Sequence, residues 1–173
     1  MFEFLEFCEQ TGMKAVVTLN NDESPSDMAD LVEYAYGDSE KTALGRARAA
    51  EMPSHPHPYA PFITEIGNEQ ALSSTLLSDT VAIAKAMLKR RSDLELKVPL
   101  DFAVGGMYNA YNITQWQPFQ QALDALPTTN SSWFIGAKDT LLSFFLFARN
   151  LSTVFVIFQA IPWTIMSTAY YEH

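Results

Sequence analysis

Three short apolar runs, residues 14–19, 62–66 and 96–104, are separated by stretches whose apolar residues recur at helical spacing. Lys14-Ala15-Val16-Val17-Thr18-Leu19 is β-branched without a period of two, which suits a parallel strand buried on both faces. Phe62-Ile63-Thr64-Glu65-Ile66 is a second such run. The third contains Pro99, which removes a ladder donor, and meets a break at Gly105-Gly106. Between them lie helices. Residues 2–11 put Phe4, Leu5 and Cys8 on one face, with Gly12 as the stop. Ser24-Pro25 opens a helix whose stripe is Met28, Leu31, Val32 and Ala35, and Gly37 closes it. Residues 71–91 carry Leu76, Leu77, Val81, Ala84, Met87 and Leu88, and Lys89, Arg90 and Arg91 complement the dipole at that helix's end. Thr114-Gln115-Trp116-Gln117 resembles a capping box ahead of Phe119, Leu123 and Leu126. Such alternation predicts an α/β fold with a parallel sheet and right-handed crossovers.

At 173 residues the chain can build one domain with a core. An eight-stranded (β/α) barrel typically needs about 250 residues. The prediction is therefore a partial (β/α)8 TIM-barrel-like fragment over residues 1–130, with an atypical apolar segment over 131–173. From Thr140 to Tyr171 the only formal charge is Arg149. Residues 151–170 approach the length of a bilayer span, interrupted by Gln159 and Pro162. A membrane anchor, a buried barrel segment and an aberrant or truncated end are the three readings of this tail.

The net charge of −9 excludes one class of partner. Residues 1–60 hold 11 of the 20 carboxylates but 4 of the 11 basic side chains, a surface that repels phosphate backbones. Nucleic acid is thus not an expected partner, whereas a neutral carbohydrate meets no penalty. Cys8 is the single cysteine and reads as a small core residue rather than a nucleophile. The acidic start Met1-Phe2-Glu3-Phe4-Leu5-Glu6 lacks the basic region of a signal peptide. Asn112, Asn130 and Asn150 open glycosylation sequons. Residues 38–61 form a long connection in which Pro53, Pro56, Pro58 and Pro61 forbid regular helix through the second half. His55 and His57 in that loop read as solvated imidazoles, because two ligands without a third make poor metal chemistry. No metal or cofactor is expected, and no phosphate loop or nucleophile elbow is present.

The chemistry-bearing stretch is Gly67-Asn68-Glu69, which follows the second apolar run. A carboxylate and an amide at the carboxyl end of a parallel strand stand where (β/α) barrels carry their active sites. Glu69 is the candidate general acid/base, with a solvated carboxylate at a helix start as the alternative. Glu65 and Glu69 do not make a retaining pair. Four strand residues separate their Cα atoms by roughly 13 Å, against about 5–5.5 Å between the carboxyl groups of a retaining glycosidase. Glu65 therefore supports the site or pairs with a cation. Asn20 and Asn21 either reach the pocket from the preceding strand end or are turn residues. Asp101 lies in the third strand, and Tyr108 and Tyr111 could stack on a sugar or pack in the core.

Five stretches in order carry a family resemblance: Phe4-Leu5-Glu6-Phe7-Cys8 with Val16-Val17-Thr18-Leu19-Asn20; Met28-Ala29-Asp30-Leu31-Val32-Glu33-Tyr34-Ala35-Tyr36-Gly37; Gly45-Arg46-Ala47-Arg48-Ala49; His55-Pro56-His57-Pro58-Tyr59; and Glu65-Ile66-Gly67-Asn68-Glu69. The chain resembles the family-51 α-L-arabinofuranosidases, retaining glycoside hydrolases built on a (β/α)8 barrel. The resemblance covers residues 1 to about 70 well, 71–105 loosely and nothing beyond about 126. It implies Glu69 as general acid/base and Asn68 as a ligand of the sugar hydroxyl beside the anomeric carbon. It also implies an arabinose-containing polysaccharide or oligosaccharide as substrate, a secreted or extracellular location and no cofactor. The family's nucleophile is a second glutamate near the end of its seventh strand, and no stretch here matches that motif. A catalytically inactive truncated barrel, tethered to a membrane by its apolar end, is the alternative. Another retaining barrel with a different sugar preference is the third reading.

Overall fold

The computed structural model of the chain describes residues 1–20, 23–70, 73–106, 117–118, 121–122, 125–126, 131–137 and 147–148, with the backbone alone at 68–70, 104–106, 131–137 and 147–148. The elements run α1 (Phe2–Thr11), β1 (Val16–Leu19), α2 (Pro25–Tyr36), α3 (Ala43–Glu51), β2 (Ile63–Gln70), α4 (Ser74–Asp93), β3 (Leu100–Gly106), β4 (Ser131–Ala137) and β5 (Phe147–Ala148). They form one sheet in the order β1-β2-β3-β4-β5. The pairs β1–β2, β2–β3 and β3–β4 are parallel, and β4–β5 is antiparallel. This is the mixed helix and parallel-sheet fold that the alternation predicts.

Local chemistry accounts for most boundaries. Gly12 ends α1 at φ 71, a left-handed backbone that a Cβ disfavours. The Ser24 hydroxyl accepts from the Asp27 amide, and Pro25 occupies the first turn of α2. Ser73 does the same for α4 through the Leu76 amide. The third strand starts at Leu100, one residue after Pro99, because the proline nitrogen has no hydrogen to give the ladder. It then continues through Gly105 and Gly106, which pair with Gly136 and Ala137 of β4. The glycines do not break the strand: both pair with β4, and Gly106 also pairs with Gln70 of β2. The segment set apart by its composition after residue 130 contributes its first seven residues to the sheet as β4. The candidate membrane span at 151–170 lies outside the described residues, as do Tyr108, Tyr111 and most of the helix expected after Thr114. Among the described residues no helix is long and apolar enough to cross a membrane.

One face of the sheet builds the core. Val17, Thr64 and Phe102 are neighbours in register, as are Leu19 and Ile66, and all five are buried. Val17, Leu19, Ile66 and Phe102 join Met28, Val32 and Ala35 of α2 and Leu76, Ile83, Ala84, Met87 and Leu88 of α4 in a single cluster. Each large apolar side chain buried there contributes about 1.5–3 kcal/mol, so this layer dominates the stability of the unit. On the other face Val16, Thr18, Glu65, Asp101 and Ala103 are half-buried. The first strand is thus fully buried on one side only: outward, Val16 pairs with the buried Ile63 and Thr18 with the half-buried Glu65.

The connection at 38–61 holds a helix that proline placement alone does not reveal. The Thr42 hydroxyl accepts from the Gly45 amide and starts α3. A Cβ on Gly45 would lie 2.6 Å from the Asp38 carbonyl oxygen, so the close approach of α3 to the preceding turn needs glycine. The stretch Gly45-Arg46-Ala47-Arg48-Ala49, expected as loop, is this helix. Arg48 is fully buried. It donates to the carbonyls of Tyr34, Gly37 (2.8 Å) and Pro56 (3.2 Å), tying the end of α2 to the Pro-rich loop. Burial pulls the guanidinium pKa down, and the nearby Tyr59, Tyr34 and Asp38 oppose that pull. Arg90 does more than complement a helix dipole. It bonds Asp30 at 2.6 Å and Glu33 at 2.5 Å, clamping α4 to α2.

Two predictions concern this polar framework. Arg48→Met leaves three carbonyls without their donor and lowers the unfolding free energy by about 3 kcal/mol, read by urea denaturation. Burial pushes the Glu33 carboxyl up, but the Leu44 amide and the Arg90 guanidinium outweigh it and the net shift is downward. The stabilisation from Glu33 is therefore complete above the unfolded carboxyl value of about 4.3 and disappears as pH falls through the lower folded value. Glu33→Gln flattens that part of the stability–pH curve; a curve unchanged in the acid range contradicts it.

Candidate functional site at the carboxyl edge of the sheet

Parallel strands present all their carboxyl ends on one edge, and three residues singled out from the sequence meet there. Leu19, the last residue of β1, pairs with Ile66 of β2. Asn20 follows Leu19 directly, while Asn68 and Glu69 lie two and three positions beyond Ile66 on the adjacent strand. Asn20 is exposed, and its carbonyl accepts from the Glu23 amide at 3.2 Å. The main chain at Asn20 is thus part of a turn, one of the two roles expected of it. Asn21 lies outside the described residues.

Asn68 and Glu69 are inside β2 rather than after it, because the strand runs to Gln70. The ladder there is irregular. Ile66 pairs with Val104 and Gln70 pairs with Gly106, so β2 uses four steps where β3 uses two. Gly67 enters this bulge at φ 75. A residue with a Cβ would pay roughly 1–2 kcal/mol for that backbone. Bulges concentrate next to active sites, where they redirect side chains that a regular pleat would fix.

Below the edge, the half-buried face of the sheet carries two polar pairs. Thr18 donates to the Glu65 carboxylate at 2.6 Å across β1 and β2, which are in register at those residues. Asp101 accepts from Lys14 at 2.8 Å. It stands opposite Ile63, the first residue of β2, and so belongs to the amino edge rather than to the site.

The His55–His57 loop also serves the amino edge. Its chain leads into β2, where the Ile63 amide donates to the Ala15 carbonyl. His55 is not a solvated imidazole. Its Nε2 lies 2.5 Å from the Glu9 carboxylate, and its ring stacks on Tyr59 at a centroid distance of 4.1 Å. Glu9 also accepts from the Ala60 amide, and Glu6 from the Ser54 hydroxyl at 3.0 Å. These contacts fasten the loop to α1 and satisfy a carboxylate that a helix C-terminus disfavours. His57 is exposed. Burial, then Glu9, pushes the Cys8 thiol up, so this buried cysteine is no ready nucleophile. No group of three or more His, Cys, Asp or Glu side chains suited to a metal occurs among the described residues.

What sequence reading missed here is the bulge and the Thr18–Glu65 bond. The first has a signal in Gly67, the one residue of the motif that enters a positive φ without a Cβ penalty. The second depends on β1–β2 register, which no single strand reveals.

The alpha-L-arabinofuranosidase 1 domain family matches residues 1–98. The chain is also similar to the solved structure of an arabinose-bound GH51 α-L-arabinofuranosidase, at 17% identity and a TM-score of 0.42, over 79% of this chain and 26% of that protein. It therefore spans about a quarter of that protein's length. No curated protein matches it.

Thr18→Val tests the internal support of the edge. It removes the donor to Glu65 and lowers stability by about 1 kcal/mol in chemical denaturation. A variant as stable as the wild-type chain shows that Thr18 does not anchor Glu65.

Proposed function

Because this chain belongs to the alpha-L-arabinofuranosidase 1 domain family, we propose that it carries the acid/base half of a retaining glycoside hydrolase site, with Glu69 as general acid/base. The observation that supports this most is the position of Asn68 and Glu69 in the bulged end of β2, at the carboxyl edge of a parallel sheet. That edge is where (β/α) barrels work, and on this reading the sheet is one sector of such a barrel. The substrate is a terminal arabinofuranosyl residue of an arabinose-containing polysaccharide or oligosaccharide.

The chemistry needs two carboxyl groups. In the first step a carboxylate nucleophile attacks the anomeric carbon while Glu69 gives its proton to the departing glycosidic oxygen. In the second, Glu69 takes a proton from water, and the water oxygen displaces the nucleophile to release arabinose. Asn68 hydrogen-bonds the hydroxyl beside the anomeric carbon, and Asn20 borders the same pocket. A general acid must be protonated at working pH, and burial together with a nearby carboxylate raises a carboxyl pKa to that end. Glu65 is held by Thr18 lower in the sheet. The nucleophile therefore comes from a sector of barrel beyond the described residues. Secretion and glycosylation at the three sequons belong to the same proposal. The competing reading is a catalytically inactive truncated barrel, favoured by the absence of a second site carboxylate among the described residues.

The test is hydrolysis of 4-nitrophenyl α-L-arabinofuranoside by the chain beside Glu69→Gln. The acid/base role predicts a loss of about 10²-fold in rate in the variant. Equal rates at background establish the inactive reading. Equal rates above background assign the chemistry to another residue.

A further inference from the structure

Resting on the acid/base reading of Glu69, we propose that Gly67 is a positioning residue, whose left-handed backbone creates the bulge that presents Asn68 and Glu69 beside the ladder instead of within it. Three residues of β2, Gly67, Asn68 and Glu69, lie between the paired residues Ile66 and Gln70, and β3 sets only Gly105 against them. The whole Gly-Asn-Glu motif is thus the bulge. It is pinned at both ends, by Ile66 on Val104 and by Gln70 on Gly106.

The pinning matters for a reacting group. In a regular ladder with the register of Ile66 and Val104, Glu69 would stand opposite residue 107, past the last residue of β3. It would then trail into the connection to α4, where a side chain is held less well than on a regular element. The bulge draws the motif back, so that Gln70 still finds a partner within the sheet. On the neighbouring side, Gly105 is itself paired with Gly136. Gly67 is buried and sits at φ 75, so the device depends on the missing Cβ at that position. Alanine there drives the backbone toward the extended region, and a change of pairing moves side chains between the faces of the sheet. Asparagine is the conservative replacement, because it enters the left-handed region far more readily than alanine.

The experiment uses the full isotope-labelled chain as wild type, Gly67→Ala and Gly67→Asn. Solution NMR reads the cross-strand contact between Gln70 and Gly106, and titration with 4-nitrophenyl α-L-arabinofuranoside reads binding at the Asn68 and Glu69 amides. In Gly67→Ala the Gln70–Gly106 contact is lost and the probe binds about tenfold more weakly, the size expected from a left-handed penalty of this order. In Gly67→Asn the contact returns and most of the affinity with it, which a general loss of packing would not produce. A Gly67→Ala chain that keeps both contact and affinity overturns the proposal. So does a folded Gly67→Asn chain that lacks the contact, which decides the matter even where Gly67→Ala does not fold. If the contact follows this pattern while the wild-type chain fails to bind the probe, the bulge device stands and the acid/base reading falls.

Discussion

Parallel pairing is the constraint on which the rest of this structure depends. Once β1, β2, β3 and β4 run in the same direction, each connection must cross from one edge of the sheet to the other, and the two edges become chemically different. The amino edge is knitted together by polar contacts: Lys14 with Asp101, Glu9 with His55 and the Ala60 amide. The carboxyl edge gathers Asn20, Asn68 and Glu69 around an irregular ladder. Stability and candidate chemistry thus occupy opposite ends of the same strands, the division of labour known from (β/α) barrels.

The long stretch between α2 and β2 shows how burial of charge is made tolerable. An unpaired buried cation costs several kcal/mol. Arg48 avoids that cost through three backbone carbonyls, two of them at the end of α2 where acceptors are left over by the helix itself. Glu33 works in the opposite sense. It accepts from the Leu44 amide at the start of α3 and from Arg90 of α4. One buried cation and one buried anion therefore hold α2, α3 and α4 in a fixed arrangement behind the sheet. That arrangement sets the path of the chain into Ile63 and on to the motif.

Much of this was legible in the sequence, for local reasons. Ser24-Pro25, Gly12 and Gly37 mark helix ends through capping and backbone preference, and the structure places α1 and α2 between them. The β-branched run ending at Leu19 and the apolar run beginning at Phe62 gave strands, because short buried strands need few polar residues. What escaped was non-local. The helix at 43–51 is marked by Thr42 and four alanines, but the four prolines after it carry a stronger loop signal. The burial of His55 has no local signal, because its partner Glu9 is 46 residues away in the chain. The bulge at Gly67 exists only relative to β3, so no pattern within one strand announces it. The position of Asn68 and Glu69 at a strand's carboxyl end, by contrast, follows from the order of elements alone.

On the proposed reading Glu69 addresses a furanoside bond from this edge, and a crystal structure of the chain with 4-nitrophenyl α-L-arabinofuranoside bound decides it. The expected result is the glycosidic oxygen within hydrogen-bond reach of the Glu69 carboxyl, about 2.6–3.2 Å, with Asn68 on the adjacent hydroxyl. A sugar bound at the amino edge near Lys14 and Asp101, or a Glu69 side chain turned away from it, would contradict the claim.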